Sequence, residues 1–565
     1  MLSLGVDFGS TYSSVSAYRR DTNNVEPMLA GMAAPHIPSV VSVKNGAMDF
    51  GKAAKNRTGK IGVKTFKGFK MLLPEDLETA RRRGYTDKYT PEYITERYLE
   101  NILTSAIQYY HRGTQVERLV ICVPEIWFQS VKSVNARAKL REICRKYLFV
   151  HQVQIVSEPS AACAFFAFNY YRNTNRKELY DGQILLIDYG GGTLDITLTE
   201  INPCREKDQP GLMEIRVLEQ TGAGENADGE IGEAGIAYME NVMERSLRRF
   251  GVEPPADGFR TDPRFLRAVD RLEEDLQSMT GSIRNTYNAF GTDNPSDIME
   301  EVDEFTTIEY GDKDIPIRFS VMLEVYKERI YPVLDAKLEE MIAYMNEKKI
   351  PFMERNSENF KIALVGGFGN FYLVSKQIEE KFAFSSSDRR RQGIIFNRGD
   401  RENAISMGAA LLAEGIIGIR NTAPYSIGIK SFGCLGDGGP GEWGPAFTDF
   451  AIQYREPIQF EQPFFAQDAD GRPILYYLSD NGPLQIAWSQ SRDLSNTQID
   501  RIRPEYEQRV RRALSGSYGM LAAIGFSLDA AGVVSLHVKE YDWIGRPVHG
   551  RSRIVELTRL DDLLV

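Results

Sequence analysis

The stretch LLIDYGGGTLDITL, residues 185 to 198, limits what this chain can fold into more than any other. Apolar residues run up to Asp188, the chain turns through Gly190, Gly191 and Gly192, and Leu194, Ile196 and Leu198 then alternate with Asp195, Thr197 and Thr199. Period-two alternation beyond a turn predicts a β-hairpin. Three glycines in a row weaken a strand, so the run marks backbone that another group must approach closely.

The chain opens on the same device. LGVDFGSTYSSVSAY sets Asp7, Gly9, Ser10 and Thr11 between β-rich flanks as Asp188, Gly190 to Gly192 and Thr193 are set. Two such hairpins about one domain length apart predict two similar lobes facing each other across a cleft. Backbone N–H groups at a glycine turn make a nest for phosphate oxygens, and the hydroxyls of Ser10, Thr11 and Thr193 add donors. Asp7 and Asp188 are placed to hold the waters of a bound Mg²⁺, which keeps much of its hydration shell. Asp195, just past the turn, is placed to orient an attacking water.

A third element, KIALVGGFGNFYLVSKQIEEKF, reads as a strand (Ile362 to Val365), a turn with Gly366, Gly367 and Gly369, and a helix. Such a turn offers a helix N-terminus and bare backbone to a nucleotide. A single Asp-x-Gly turn is common, and a lone GGxG often serves only tight packing. The ordered set of three carries the nucleotide reading.

Composition bounds the rest. A chain of 565 residues exceeds one core and predicts roughly two to four domains. The mean hydropathy of -0.33 and the lack of a long apolar run exclude a membrane span. The opening MLSLGVDFG enters a strand at once, which predicts no signal peptide and a cytoplasmic location. Five cysteines without a CxxC pair predict reduced, mostly buried thiols rather than zinc or disulfides. A net charge of -10 argues against general affinity for nucleic acid or anionic membranes.

The set DFGST, DYGGGT and LVGGFG resembles the actin-like ATPase superfamily, and within it most nearly the seventy-kilodalton heat-shock (DnaK-type) chaperones. Further stretches carry the narrower resemblance: VICVPEIWF with Pro124, VSEPSAACAFFAF with Glu158 before Pro159, TFKGFKMLL with Lys70, and ENAISMGAALLAEGI. APYSIGIKSFG, YLSDNGPLQIAW and IGFSLDAAGVVSLHVKEYDWIGR resemble strands of the family's peptide-binding β-sandwich. The resemblance implies an α/β fold: two ribonuclease-H-like lobes over 1–415, a linker over 416–424, and a β-sandwich without a helical lid over 425–565. It implies ATP or ADP with Mg²⁺ as ligands, hydrolysis of ATP, and extended polypeptide as partner, with a co-chaperone or nucleotide-exchange partner. Lys70, Glu158, Asp188, Thr193 and Asp195 take the catalytic roles, and Glu158 joins Asp7 and Asp188 around Mg²⁺ through water. Gly9 to Tyr12, Gly190 to Thr193, Asp270, Gly366, Gly367, Phe368 and Asn370 hold the nucleotide.

The chain departs from the family around the base, where two arginines sandwich adenine. The corresponding helix, DPRFLRAVDRLEEDLQSM, starts at Asp262 and Pro263 and buries Phe265, Val269, Leu272, Leu276 and Met279. It exposes Asp270, Glu273, Glu274 and Asp275 where the family is basic, and the second arginine position holds Asn370. Phe368 is then expected to stack on the base and Phe371 to enter the core. Lys132 replaces the arginine that partners the family's switch proline, keeping charge without the guanidinium fork. The linker keeps Ile416, Ile417 and Ile419 but lacks acidic residues, and LDDLLV at the end is a chance likeness to one. Alternative readings are a nucleotide-binding scaffold without turnover, a sugar- or acid-kinase, and a filament-forming actin-like protein.

Overall fold

The computed structural model describes residues 2–29, 35–110, 115–128, 131–174, 178–204, 212–223, 234–253, 262–350, 352, 359–382, 398–419, 426–431, 447–453, 458, 462–468, 470–478, 485–489, 500–501, 504–528 and 533–559. The fold is mixed α/β, and the chain divides into two compact units, Met1–Ile419 and Arg420–Val565. Among the described residues no helix is long and apolar enough to cross a membrane. Cys122, Cys144, Cys163 and Cys204 are free thiols, the first three buried.

The first unit is built on two sheets with a common plan. In one, β1 (Leu2–Asp7), β2 (Tyr12–Arg19), β3 (Asn24–Met28), β4 (Val116–Val123) and β5 (Val150–Ser157) lie in the order β3-β2-β1-β4-β5. In the other, β6 (Gly182–Tyr189), β7 (Leu194–Pro203), β8 (Met213–Ala223), β9 (Phe360–Val365) and β10 (Ile417–Ile419) lie in the order β9-β6-β7-β8-β10. Each sheet holds an antiparallel hairpin, β1-β2 or β6-β7, with an antiparallel third strand on one side and a parallel fourth on the other. Both turns follow the carboxyl end of the first strand, next to a parallel neighbour.

Two helices lie between these sheets: α2 (Glu158–Asn173) and α5 (Arg398–Glu414). One apolar cluster takes Val120 and Val156 from the first sheet, Ile184 and Leu186 from the second, and Ala161 to Phe168 and Ala409 to Ala413 from the helices. Contact at this crossing is backbone to backbone. A Cβ on Gly408 would stand 1.7 Å from the Ala161 carbonyl oxygen, and one on Gly5 2.1 Å from the Ala410 nitrogen. Glycine there brings α5 onto both α2 and β1. Ser406 ties the same helix to β2, its hydroxyl 2.9 Å from that of Ser14 and 2.8 Å from that of Ser16.

The remaining helices flank the sheets. Helix α1 (Val131–Arg145) follows β4, α3 (Gly235–Arg249) follows β8, and α4 (Pro263–Ser278) begins at Asp262, whose side chain accepts from the Arg264 amide at 2.7 Å. Phe265 and Leu272 of α4 are buried and Val269, Leu276 and Met279 partly so, as the sequence pattern predicts. Ile417 and Ile419, read from sequence as linker, form β10 and pair with β8. The rest of that linker (420–424), the Lys132 side chain and the final LDDLLV (560–565) lie outside the described residues.

The second unit holds two antiparallel sheets. Ser426–Ser431, Phe447–Ile452, Gln485–Ser489 and Asp500–Arg501 form one, and Phe464–Phe465, Tyr476–Tyr477, Leu521–Leu528, Val533–Tyr541 and Pro547–Arg559 the other. A single apolar cluster draws on both sheets. The predicted hairpin has Leu528 opposite Val534, Phe526 opposite Leu536 and Ile524 opposite Val538, all buried; its tip, 529–532, lies outside the described residues, as do 479–484 of YLSDNGPLQIAW. A helix the sequence reading missed, Pro504–Ser515, adds Val510 and Leu514 to this core.

The helix crossing makes a direct prediction. Gly408→Ala must push α5 off α2 and is expected to cost about 1–3 kcal/mol, as overpacking does. Gly281→Ala, in a helix where an added Cβ meets nothing within 4 Å, is expected to stabilise by about 0.5–1 kcal/mol. Urea unfolding of both variants checks this, and equal midpoints would remove the crossing from its place in the fold.

Candidate functional site

The two hairpin turns meet. A Cβ on Gly191 would lie 2.3 Å from Thr11 Oγ1, and one on Gly192 3.0 Å from Ser10 Oγ, so the turns touch through the residues the sequence singled out. Their carbonyls are bonded away from each other's backbone. Gly190 O and Gly191 O accept from the amides of Gly235 (3.2 Å) and Ile236 (2.8 Å) at the start of α3; Gly9 O accepts from the Ser39 hydroxyl (2.7 Å) and Thr11 O from the Ser39 amide (2.8 Å). The amides of Ser10, Thr11, Gly191 and Gly192 find no acceptor among the described residues. Two turns with free N–H groups form a nest for an anion.

Charged groups gather beneath the turns. Lys70, in the turn after the strand Lys64–Lys67, is 2 % exposed and donates to Glu158 at 2.5 Å. Glu158 begins α2, whose cap is the Ser157 hydroxyl, so its charge also faces the positive end of the helix. Asp188 and Asp195 are directly opposite each other in the β6-β7 ladder and are 4 % and 1 % exposed. Asp7 retains some exposure and stands opposite Cys122 on β4.

Four carboxyl groups thus gather near one lysine, and the acidities of Asp7 and Asp188 respond. Burial, then the charge of Glu158, pushes Asp7 up to about 7, with Lys70 opposing. Asp188 is raised well above the ordinary range by burial and then by Glu158, Asp195 and Asp7. Its Oδ2 is buried without a hydrogen-bond partner, a costly state that a hydrated cation would relieve. Among the described residues no three His, Cys, Asp or Glu side chains form a direct metal-ligand group. The unpartnered Asp188 Oδ2, with Asp7 and Glu158 near it, could accept from the waters of a hydrated cation.

A cavity of about 510 Å³ extends from Ser10, Thr11 and Tyr12 to α4. Its far wall corrects the sequence reading of the acidic helix, because only Glu274 is exposed. Asp275 is buried, accepting from Thr306 Oγ1 at 2.7 Å and paired with Arg271 at 3.1 Å. Asp270 and Glu273 face the cavity and pair with Lys67 and, at 3.5 Å, with Lys55. Burial and then Asp270 raise Glu273, with Lys55 opposing; burial lowers Lys55, but Glu273, Tyr12 and Asp270 together drive it upward. Arg267 adds a hydrogen bond to Gly59 O at 2.6 Å. Lys55 and Lys67 are the site residues that sequence reasoning missed, since each meets its acid from more than 200 residues away.

The third glycine turn does not reach this cavity. Gly366 has φ +83 and its Cβ would meet Asp188 Oδ1 at 2.5 Å, so glycine is required to pass that carboxylate. Phe368, expected to stack on a base, is 9 % exposed and packed in an apolar core. It meets Tyr189 edge-on at 5.0 Å and stacks on Phe371 at 5.6 Å. Apolar burial outweighs any exposed position on the turn. Asn370 turns its amide to Gly366 O at 3.5 Å. Pro124 is buried after β4, where the Trp127 amide donates to its carbonyl. Compared with the profiles of known protein families, the chain matches none.

The acidity of Asp7 sets a pH dependence. A carboxyl whose folded value is raised holds its proton after the unfolded chain has lost it, so it lowers stability as pH rises between the two values. In metal-free buffer, Asp7→Asn is expected to gain stability relative to wild type from about pH 5 to about pH 7.5, by an amount on the order of a few kcal/mol. Urea unfolding across that range measures the gap, and a constant gap would return Asp7 to an ordinary acidity.

Proposed function

We propose that the chain is a DnaK-type chaperone-like ATPase, with an actin-like two-lobe nucleotide unit in Met1–Ile419 and a peptide-binding β-sandwich after it. The observation that carries the reading is the pair of touching turns whose four free amides lie beside one lysine and four carboxyl groups. The order of four strands that the two sheets share supports the two-lobe architecture, and the apolar cluster shared by the two antiparallel sheets supports the sandwich.

In this reading the amides of Ser10, Thr11, Gly191 and Gly192, with the hydroxyls of Ser10, Thr11 and Thr193, hold phosphate oxygens. Lys70, fixed by Glu158, brings positive charge to the γ-phosphate. Asp7, Asp188 and Glu158 would hold Mg²⁺ through water, and the ion when bound supplies further charge against the phosphates. Asp195 orients a water whose oxygen bonds to the γ-phosphorus as the bond to the bridging oxygen breaks, and the water's proton passes toward the carboxylate. Catalysis is positioning and electrostatics throughout.

A nucleotide-holding scaffold without turnover is the second reading, favoured by the burial of Phe368, which leaves a base without the expected ring. One assay separates them. Thr193→Ala and Asp195→Asn are expected to slow single-turnover phosphate release by about 10²-fold while nucleotide still binds. Equal release by wild type and both variants would remove the catalytic assignment.

The second unit exposes Tyr477, Trp543, Ile544 and Ile554, with the Tyr477 and Trp543 rings 5.6 Å apart, which supports binding of extended apolar peptide. Release of a fluorescent peptide, followed by stopped flow, is expected to be fast and nearly the same with ATP and ADP. Slow release with ADP and fast release with ATP would instead show tight coupling to the nucleotide.

A further inference from the structure

We propose that Thr197 is a positioning residue for the hydrolysis, its buried hydroxyl holding the carboxyl groups of Asp195 and Asp188 through one water molecule. The inference rests on the hydrolytic reading above and adds a residue to it. Along β7, Leu194, Ile196 and Leu198 enter the apolar core on one side of the sheet, and alternation puts Asp195, Thr197 and Thr199 on the other face. Opposite these three on β6 stand Asp188, Leu186 and Ile184, of which Leu186 and Ile184 belong to the apolar cluster between the two sheets. Thr197 is therefore next to Asp195 along its own strand and diagonal to Asp188 on the neighbouring one.

This face is a costly place for a hydroxyl. Thr197 and Thr199 are both 0 % exposed, and neither Oγ1 has a hydrogen-bond partner among the described residues. Thr199 lies beside the thiol of Cys163, a weak hydrogen-bonding group. Thr197 stands between Leu186 on β6 and Gln220 on β8. Valine has nearly the same shape and would remove the cost of the buried hydroxyl. A second buried oxygen without a partner, Asp188 Oδ2, occupies the diagonal position. Same-face positions on a strand are about 6.7 Å apart, too far for a direct hydrogen bond and within the span of two bonds through one water. A buried water requires roughly two to four polar partners, and Thr197, Asp195 and Asp188 supply three. Held from below in this way, the Asp195 carboxylate keeps one orientation toward the attacking water, while Thr197 itself touches no substrate.

Single-turnover phosphate release from ATP with Mg²⁺ tests the assignment on wild type, Thr197→Val, Thr197→Ser and Thr199→Val. Thr197→Val is expected to slow release about tenfold, as loss of a group that orients a working residue does. Its affinity for ATP is expected to stay unchanged, and its stability to urea to stay equal or rise. Thr197→Ser restores most of the rate, and Thr199→Val leaves it unchanged. In an Asp195→Asn background, Thr197→Val is expected to slow release no further, because the two residues act through one group. A purely structural role would slow both backgrounds alike. Equal release by wild type and Thr197→Val, or Thr197→Ser as slow as Thr197→Val, overturns the inference and leaves the hydrolytic reading intact. Should Thr197→Val not fold, Thr197→Ala against Thr197→Ser makes the same comparison. No release by wild type overturns the hydrolytic reading, and this inference with it.

Discussion

The close crossing of α2 and α5 is the constraint on which the rest of the first unit depends. Both helices contribute to the one apolar cluster that joins the two sheets. Their separation is set by Gly408 against the Ala161 carbonyl, where no side chain fits. Because α5 also rests on β1 through Gly5, and α2 starts directly from β5 at Ser157, the crossing fixes where the two sheets end relative to each other. The hairpin turns stand at those ends. Their contact, Thr11 on Gly191 and Ser10 on Gly192, therefore depends on packing that involves Gly408, far from both turns in the sequence. Backbone-to-backbone contact of this kind tolerates no added methyl group, which makes the geometry of the turns rigid.

That rigidity has an electrostatic cost. Bringing Asp7, Glu158, Asp188 and Asp195 around the single charge of Lys70 leaves the site short of positive charge, and burial denies it water. The free protein meets the imbalance by holding protons on Asp7 and Asp188 at pH values where isolated carboxyls have lost them. A hydrated dication would remove the need for those protons, so binding of the cation, ionisation of the carboxyls and stability of the fold are linked. The free amides of the turns, just above, favour an anion in the same place. Under the proposed reading, cation and anion would each make the other easier to hold, and a metal–phosphate complex would satisfy both groups at once.

The elements legible in the sequence were those whose signal is local. The β6-β7 hairpin announces itself by alternation around three glycines, and Asp188 opposite Asp195 follows from it. Leu528 and Val534 sit across their hairpin for the same reason. The Asp262 cap and Pro263 start α4 where a cap and proline should. What sequence could not give was contact between segments far apart in the chain. Nothing in the acidic run of α4 says that Asp275 turns inward to Thr306, or that Asp270 and Glu273 meet lysines near residue 60. Phe368 reads as exposed because its turn adjoins a ligand motif, while two of the rings that bury it, Tyr189 and Tyr238, come from distant elements and the third, Phe371, from the same turn. Ile417 and Ile419 were read as linker because three residues are too few to signal a strand until β8 is beside them.

The acids of α4 and the lysines opposite are best understood as one change. An arginine or lysine at position 273 would face Lys55 across a few ångströms in a cavity where screening by water is weak, and like charges so placed repel strongly. The same holds for position 270 and Lys67. A basic clamp on α4 is therefore incompatible with these two lysines, and the acids are incompatible with neutral residues there, which would leave buried carboxylates unpaired. The pairs also join α4 to the segment that carries Lys55 and Lys67. In this chain the wall of the cavity supplies its own cross-links, each an ammonium that donates and a carboxylate that accepts. Acids on α4 and the lysines opposite thus require each other, and a ligand in this cavity would meet both charges.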